Sequence, residues 1–199
     1  MSFRALAARV SVVIVVVGIL VGCGEFPFKP RENEEPSSSG AEWAAPVSPD
    51  IVVTNMVNAV GRREALLYAE LLAEDFTFRP DPEDSIALEQ TYPGIFADWD
   101  ASVETKVMEY MLNPARCSFA SLRFYDETIV EETDTTYVLD SKYEAIIRIG
   151  KFRKYEGQMR FTIKRHSDGF WYIHHLIDDR ISSEKETWGK LKGEIRAMM

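Results

Sequence analysis

The stretch that decides the fold is residues 137–163, YVLDSKYEAIIRIGKFRKYEGQMRFTI. Its first half places apolar residues, from Tyr137 to Ile147, mainly at odd positions and charged residues mainly at even ones. The same alternation returns from Tyr155 onward, after a glycine at position 150. A period of two residues is typical of a strand with one buried face. The stretch therefore predicts two long antiparallel strands joined by a turn at Gly150.

Shorter strands are predicted on both sides of this hairpin. Residues 119–129 form a strand before an acidic turn at 131–134, and residues 167–169 (Ser-Asp-Gly) close a second hairpin into a strand over 170–178. Residues 76–78 alternate in the same way before a Pro-Asp-Pro turn. These strands together predict one largely antiparallel sheet.

Helices are predicted ahead of the long strands. Residues 48–50 (Ser-Pro-Asp) are a typical helix start, because serine caps the helix, proline suits its first turn and an acid suits its positive end. Apolar residues then recur with helical spacing over 53–60 and over 65–72. A third amphipathic helix begins near Trp99 and stops at Asn113-Pro114. Helices followed by strands indicate an α+β domain.

The N-terminus has the order of an export signal. Arg4 and Arg9 precede an uncharged apolar run over residues 10–22, which is shorter than the roughly 20 residues that a stable membrane span needs. The run ends Leu20-Val21-Gly22-Cys23, which resembles the lipobox of bacterial lipoproteins. This resemblance implies that residues 1–22 are a cleaved signal peptide. It also implies that Cys23 carries acyl chains such as palmitate and anchors the protein to a lipid bilayer.

A tether is predicted between the lipid anchor and the folded domain. Residues 24–47 are rich in Pro, Glu, Ser and Gly and have no sustained apolar period. A flexible segment of this length spans roughly 25–30 Å. The predicted organisation is therefore a signal peptide over 1–22, a lipidated cysteine and tether over 23–47, and one domain over 48–199. Gly24 follows the cysteine, so the sorting rule of known lipoproteins implies the periplasmic face of the outer membrane in a host with two membranes.

Composition bounds the classes of function. The chain has 32 acidic and 23 basic residues and a formal net charge of −9, and the predicted leader removes two of the basic ones. An acidic surface without a Lys/Arg cluster excludes nucleic acid as a partner. With Cys23 lipidated, the second cysteine, Cys117, has no disulfide partner within the chain, and we expect it to be a small buried residue.

Three motifs, in this order and spacing, resemble one superfamily. They are Leu71–Phe78 (LLAEDFTF), Asp168–Ile173 (DGFWYI) and Thr187–Lys192 (TWGKLK). The first two resemble a helix-to-strand junction and the last strand of the nuclear transport factor two and ketosteroid isomerase superfamily. The third is similar to the ending of bacterial lipoproteins with that fold. The resemblance implies a cystatin-like cone over residues 48–199, with N-terminal helices packed in a strongly curved antiparallel sheet.

The resemblance leaves the activity open, because proteins of this superfamily include enzymes, ligand binders and adaptors. Enzymes of the isomerase branch place an aspartate base and a tyrosine donor inside an apolar cone. No acid interrupts the inward-facing run of residues 137–163, and we interpret Asp178 and Asp179 as ordinary charges at a strand end. This pattern favours a noncatalytic role. No cofactor or metal is expected, because the adjacent His174 and His175 cannot both face one metal from a regular strand.

Regular alternation of the last strand places His175 inside the cone and His174 outside. We therefore expect a pocket for a ligand to be lined by Tyr68, Tyr143, Met159, Trp171 and His175.

The sequence supports one main functional hypothesis and two alternatives. The main hypothesis is a noncatalytic exported lipoprotein whose cone binds a small apolar ligand or an envelope protein. The first alternative is an isomerase or dehydratase in which His175 or a buried acid works beside Tyr68 or Tyr143. The second alternative is an interaction module that pairs with itself as a homodimer, its cone being filled by side chains.

Overall fold

A computed structural model describes residues 43–199 of the chain. The predicted signal peptide, Cys23 and most of the predicted tether lie outside the described residues. Residues 43–199 belong to one compact unit. Within the described part of the chain, no helix has the length and apolar character that crossing a membrane requires.

The described residues form five helices and five strands. The helices are α1 (Pro49–Arg62), α2 (Ala65–Ala69), α3 (Pro82–Glu89), α4 (Ala101–Leu112) and α5 (Trp188–Arg196). The strands are β1 (Leu72–Arg79), β2 (Cys117–Glu132), β3 (Thr136–Ile149), β4 (Lys151–Arg165) and β5 (Trp171–Asp179). The fold is therefore α+β, as predicted.

The five strands form one curved sheet in the order β1-β5-β4-β3-β2. Strands β2 to β5 pair in antiparallel fashion, and β1 lies parallel to β5 at one edge. The predicted central hairpin is confirmed, since Tyr143 lies opposite Gly157 and Ala145 opposite Tyr155. Irregular pairing at three points in β2 interrupts its ladder with β3, and bulges of this kind bend a strand and increase its twist.

The core lies between the concave face of the sheet and the helices. Odd-numbered residues are buried from Tyr137 to Ile147 in β3 and from Tyr155 to Ile163 in β4, as the alternation predicted. Helices α1 and α4 contribute Val52, Met56, Val60, Val107, Met108, Met111 and Leu112. Cys117 is fully buried, as expected of a small apolar residue.

Two helices were not predicted from the sequence. Helix α3 follows Asp81, whose side chain accepts hydrogen bonds from the first turn, where the sequence indicated only a Pro-Asp-Pro turn. Helix α5 is capped by the Thr187 hydroxyl, which accepts from the Lys190 backbone N–H at 3.0 Å. It contains Gly189 and Gly193. Glycine lowers intrinsic helix propensity, so the local composition does not predict this helix.

The chain immediately before α1 contacts the domain. Trp43 is partly buried against the core, and the Asn55 side chain donates to the Ala44 carbonyl at 2.6 Å. The Trp171 backbone N–H donates to the Pro46 carbonyl at 2.8 Å. The last residues of the predicted tether therefore lie along α1 and the start of β5.

Candidate functional site

Helix α5 lies across the concave side of the sheet, where it packs on β4, α3 and α4. Its residues Trp188, Leu191, Lys192 and Ile195 are all buried, and the Trp188 indole N–H lies 3.3 Å from the Met111 sulfur. The helix therefore fills much of the interior that the curved sheet would otherwise leave open.

The first turn of α5 is bonded to a buried acid. The Tyr143 hydroxyl donates to Asp178 Oδ1 at 2.7 Å and accepts from the Trp188 backbone N–H at 2.7 Å. The Gly189 backbone N–H donates to Asp178 Oδ2. Burial raises the pKa of Asp178 to about 7, although these donors partly oppose that rise. Burial, followed by the charge of Asp178, also raises the pKa of Tyr143 well above its usual value.

The interpretation of Asp178 as an ordinary strand-end charge was wrong. In β5, His175 lies opposite Thr162 but Ile173 lies opposite Ile163, so His174 is an extra residue relative to β4. Such a bulge reverses the alternation that follows it. Asp178 consequently faces the core and is 0% exposed.

A second buried cluster joins α5 to the other helices through Glu104. Lys192 Nζ lies 2.5 Å from Glu104 Oε1, and both side chains are fully buried. The Tyr68 hydroxyl donates to the same oxygen at 2.7 Å, and the Trp99 indole N–H donates to Glu104 Oε2 at 2.8 Å. Lys192 Nζ also lies 4.3 Å from the centre of the Phe78 ring. Two neutral donors and one cation therefore surround the buried carboxylate.

The start of α5 is also fixed at the rim of the sheet. The Thr187 hydroxyl donates to Asp84 Oδ2 at 2.6 Å, and the Arg180 guanidinium is bonded to the other oxygen of Asp84. The Arg180 backbone N–H donates to Asp81 Oδ2 at 3.0 Å. Asp81, which caps α3, and Asp84 within α3 thereby join the end of β5 to the cap of α5.

A cavity of about 190 Å³ remains between α5, α4, β3 and β4. We call it the α5 cavity. Its lining residues are Tyr110, Ile147, Ile149, Lys151, Arg153, Tyr155, Leu191, Glu194, Ile195 and Met198. Tyr155 is 1% exposed, and its hydroxyl donates to no acceptor among residues 43–199, although the Arg153 guanidinium lies beside it. Native structures rarely leave a buried donor without an acceptor, so the Tyr155 hydroxyl makes this cavity the candidate site for a polar group.

A larger groove of about 770 Å³ lies around α2 and the C-terminal end of α4. Leu66 and Leu67 line it together with the charged residues Arg63, Glu64, Glu70 and Glu109. The Leu66 side chain is exposed, and the Arg63 guanidinium donates to the Cys117 carbonyl at 2.7 Å. This groove is a feature of the surface, separate from the interior of the cone.

The five residues expected to line a pocket do not line the α5 cavity or the groove at α2. Tyr68 and Tyr143 belong to the two buried clusters, and Met159 is fully buried in the core. Trp171 is buried at the start of β5. His175 is half-buried, with its Nδ1 atom 2.6 Å from the Thr77 hydroxyl. Ligand binding by these residues stays a prediction.

The orientation expected for the adjacent histidines was wrong. His174 is buried, with Nδ1 2.6 Å from Asp75 Oδ1 and Nε2 2.9 Å from His166 Nε2, while His175 contacts the exposed Thr77. The bulge at His174 again explains the difference. Burial lowers the pKa of His174, against the opposing effect of Asp75. Within residues 43–199, no three His, Cys, Asp or Glu side chains are grouped to hold a metal.

Sequence reasoning missed the polar residues of the α5 cavity. Tyr155 was recognised as facing inward, but nothing marked it as different from the core tyrosines. Lys151 and Arg153 lie between the predicted turn at Gly150 and Tyr155, and nothing in the sequence marked them as site residues. These residues come together only because α5 packs over this end of the hairpin, where Glu194 lies 3.4 Å from Arg153. Local sequence does not predict that packing.

Comparison with solved structures identifies the fold. A putative scytalone dehydratase and a putative aromatic ring hydroxylase, both from Novosphingobium aromaticivorans, superpose with TM-scores of 0.53 at 17% and 11% identity. The first match covers 70% of this chain and 90% of that one, and the second covers 67% and 86%.

A putative dehydratase of the nuclear transport factor two-like family from Streptomyces avermitilis superposes with a TM-score of 0.51 at 9% identity, covering 67% of this chain and 94% of its own. No protein-family model and no curated protein matches the sequence. The chain therefore has the nuclear transport factor two-like fold, as the sequence motifs suggested.

Proposed function

We propose that this protein is an exported lipoprotein, anchored through Cys23, whose domain binds a small, mostly apolar molecule in the α5 cavity. The hydroxyl of buried Tyr155, which donates to no acceptor, carries this proposal, because it offers a directed polar contact beside a largely apolar space. Ligand sites in proteins commonly combine an apolar lining with a few such polar groups. The lipobox at Cys23 and the preceding apolar run support export and anchoring in the cell envelope.

The bonding of Asp178 supports a binding role over catalysis. Structural neighbours include proteins named as dehydratases, and an aspartate beside a tyrosine is suited to acid–base chemistry. In this chain, however, both Asp178 oxygens and the Tyr143 hydroxyl are already bonded to each other or to the backbone of α5. A substrate would have to displace the first turn of α5 to reach them.

Native mass spectrometry of the full chain, released from detergent micelles, tests the binding proposal. We expect a reproducible added mass of a small molecule on the wild-type protein. Ile147→Phe, which fills the cavity from β3, should lose that mass. Val107→Ile in the core of α4 is the control for a change of buried volume outside the cavity, and it should keep the mass. An added mass that persists in Ile147→Phe, or none on the wild type after supply of candidate ligands, would contradict the proposal.

Self-association is a second candidate function, favoured by an exposed aromatic pair. The rings of Phe119 and Phe152 lie 5.8 Å apart, and their residues are 44% and 59% exposed. Two copies related by a twofold axis would cover this pair with its own equivalent. The same spectra give the subunit number: we expect a dimer that Phe152→Ser converts to a monomer. A wild-type monomer at micromolar concentration would reject this candidate.

A further inference from the structure

We propose that the ligand of the α5 cavity is a monocarboxylate with a short apolar tail, whose headgroup is bound by Tyr155 and Arg153. This inference rests on the proposed binding function and goes beyond it by naming the chemical class of the ligand. The Tyr155 hydroxyl, the charges at the cavity and the size of the cavity support this class of ligand.

The Tyr155 hydroxyl is a donor without an acceptor. Burial raises the pKa of Tyr155, and the nearby guanidinium of Arg153 offsets only part of this rise. The hydroxyl therefore keeps its proton at neutral pH and can donate it to a ligand oxygen. A carboxylate is the strongest common acceptor for such a donor, because a hydrogen bond to an ionised group is about twice as strong as one between neutral groups.

The charges at the cavity favour an anion. Lys151, Arg153 and Glu194 are its charged lining residues, so the lining carries a net positive charge in a chain of net charge −9. Glu194 lies 3.4 Å from Arg153 and 3.9 Å from Lys190, so two cations share it. No carboxylate among residues 43–199 lies within 4 Å of the Lys151 ammonium. Glu186, outside the lining, also interacts with Arg153 and Lys151, so a ligand with a single negative charge is favoured over a dianion.

Arg153 and Tyr155 suit the geometry of a carboxylate. Two residues apart on β4, they lie on the same side of the strand, and Arg153 is exposed while Tyr155 is buried. A carboxylate at the cavity mouth can accept from the Tyr155 hydroxyl with one oxygen and from the Arg153 guanidinium with the other.

The size and lining of the cavity define the tail. About 190 Å³ of accessible space equals roughly a dozen water-sized positions, which is too little for a two-chain lipid. Ile147, Leu191 and Ile195 are buried and apolar around this space. Burying a methylene group contributes about 0.8 kcal/mol, so an alkyl tail of several carbons supplies most of the affinity. The carboxylate then sets the orientation and the preference among ligands of equal tail length.

Titration calorimetry of the full chain with octanoate and octan-1-ol, both below micellar concentrations, tests the inference. The two probes share their tail and differ in the headgroup. We expect octanoate to bind the wild type about tenfold more tightly than the alcohol. Tyr155→Phe and Arg153→Gln should each weaken octanoate binding about tenfold and change octan-1-ol binding little. Tyr155→Phe removes only a hydroxyl that donates to no acceptor, so we expect it to fold normally. Arg123→Gln, an exposed change on β2, is the matched control.

The outcomes separate this inference from the proposed function. Equal or tighter binding of octan-1-ol, lost in Ile147→Phe, would overturn the carboxylate inference and leave the apolar binding function standing. Octanoate binding that survives both Tyr155→Phe and Arg153→Gln would overturn the assignment of the headgroup site. Binding of neither probe would overturn the inference for ligands of this class, and the mass spectra above then decide the binding function independently.

Discussion

The buried carboxyl of Asp178 makes the stability of the domain depend on pH. Its pKa lies near 7 in the folded protein and near 3.8 when exposed. Below about pH 3.8 the group is protonated in both states. As the pH rises from 3.8 to 7, the unfolded chain releases the proton while the folded protein keeps it, so the free energy of unfolding falls across this window. A shift of about three pKa units corresponds to at most about 4 kcal/mol.

We therefore predict that Asp178→Asn is progressively less destabilising, relative to the wild type, between pH 4 and pH 7. Asparagine carries no titrating group, and its side-chain oxygen can still accept from the Gly189 backbone N–H. Urea unfolding of both proteins at several pH values measures the difference. Asp179→Asn removes a carboxyl from the neighbouring, partly exposed position and serves as the control. A constant difference between wild type and Asp178→Asn over this range would contradict the prediction.

The buried ion pair between Lys192 and Glu104 contributes to the stability of the domain. We expect Lys192→Met to lower the free energy of unfolding by about 3–5 kcal/mol, because it leaves Glu104 buried without a counter-charge. Adding Glu104→Gln should restore most of this loss, since the neutral amide oxygen can accept from the Trp99 indole N–H while the amide NH2 group donates to the Tyr68 hydroxyl. A double-mutant cycle in urea measures the coupling. Additive effects of the two changes would mean that the pair is not coupled.

Prediction from sequence succeeded at single residues where regular alternation holds. Tyr143, Tyr155 and Phe161 are buried as their positions in the hairpin required. It failed at His174, His175 and Asp178, because one inserted residue in β5 inverts the alternation beyond it. No pattern in residues 170–178 signals the bulge, since histidine, leucine and isoleucine suit either register. The location of the buried acid therefore became visible only through strand pairing.

At the scale of elements, the two long strands and helices α1 and α4 follow from local sequence. Helix α5 does not, because Gly189 and Gly193 weaken its intrinsic propensity and its apolar residues bury themselves only in this tertiary setting. At both glycines, neighbouring atoms come too close to leave room for a Cβ atom. A Cβ at residue 193 would lie 2.5 Å from Phe96 Cζ and 2.7 Å from Leu88 Cδ1, and one at residue 189 would lie 2.9 Å from Asp178 Oδ2. Packing thus requires glycine at two positions where intrinsic helix propensity disfavours it.

A matched pair of Gly→Ala changes tests this account of α5. We predict that Gly193→Ala destabilises the protein by about 1–3 kcal/mol, because the new methyl group overlaps Phe96 and Leu88. Gly61→Ala near the end of α1 has nothing within 4 Å of the added Cβ, so it should stabilise the protein by about 0.5 kcal/mol through helix propensity. Thermal unfolding followed by circular dichroism measures both. Stabilisation by Gly193→Ala would show that α5 is not tightly packed.

At the scale of the whole molecule, the sequence was sufficient to predict the fold. It was not sufficient to predict whether the interior of the cone is open or filled by side chains. Order and spacing of the motifs at residues 71–78 and 168–173 correctly indicated the cone. Whether a cone of this kind is open, filled or closed depends on the segment after its last strand. Here that segment places Trp188 and Lys192 inside and leaves a cavity at the far end, beside the β3–β4 turn. The candidate ligand site therefore arises from residues more than 30 positions apart in the chain, Tyr155 and Leu191.

The proposed lipid anchor at Cys23 determines where the whole chain is located. We expect Cys23→Ala to abolish incorporation of labelled palmitate and to move the protein from the detergent phase to the aqueous phase on phase separation, because Cys23 is the proposed acceptor of the acyl chains. Cys117→Ala is the matched control. Cys117 is buried in the folded domain, so it should leave palmitate incorporation unchanged. Circular dichroism should show that Cys23→Ala keeps the folded domain. Equal labelling of the two variants would contradict anchoring through Cys23 and with it the proposed location at a membrane surface.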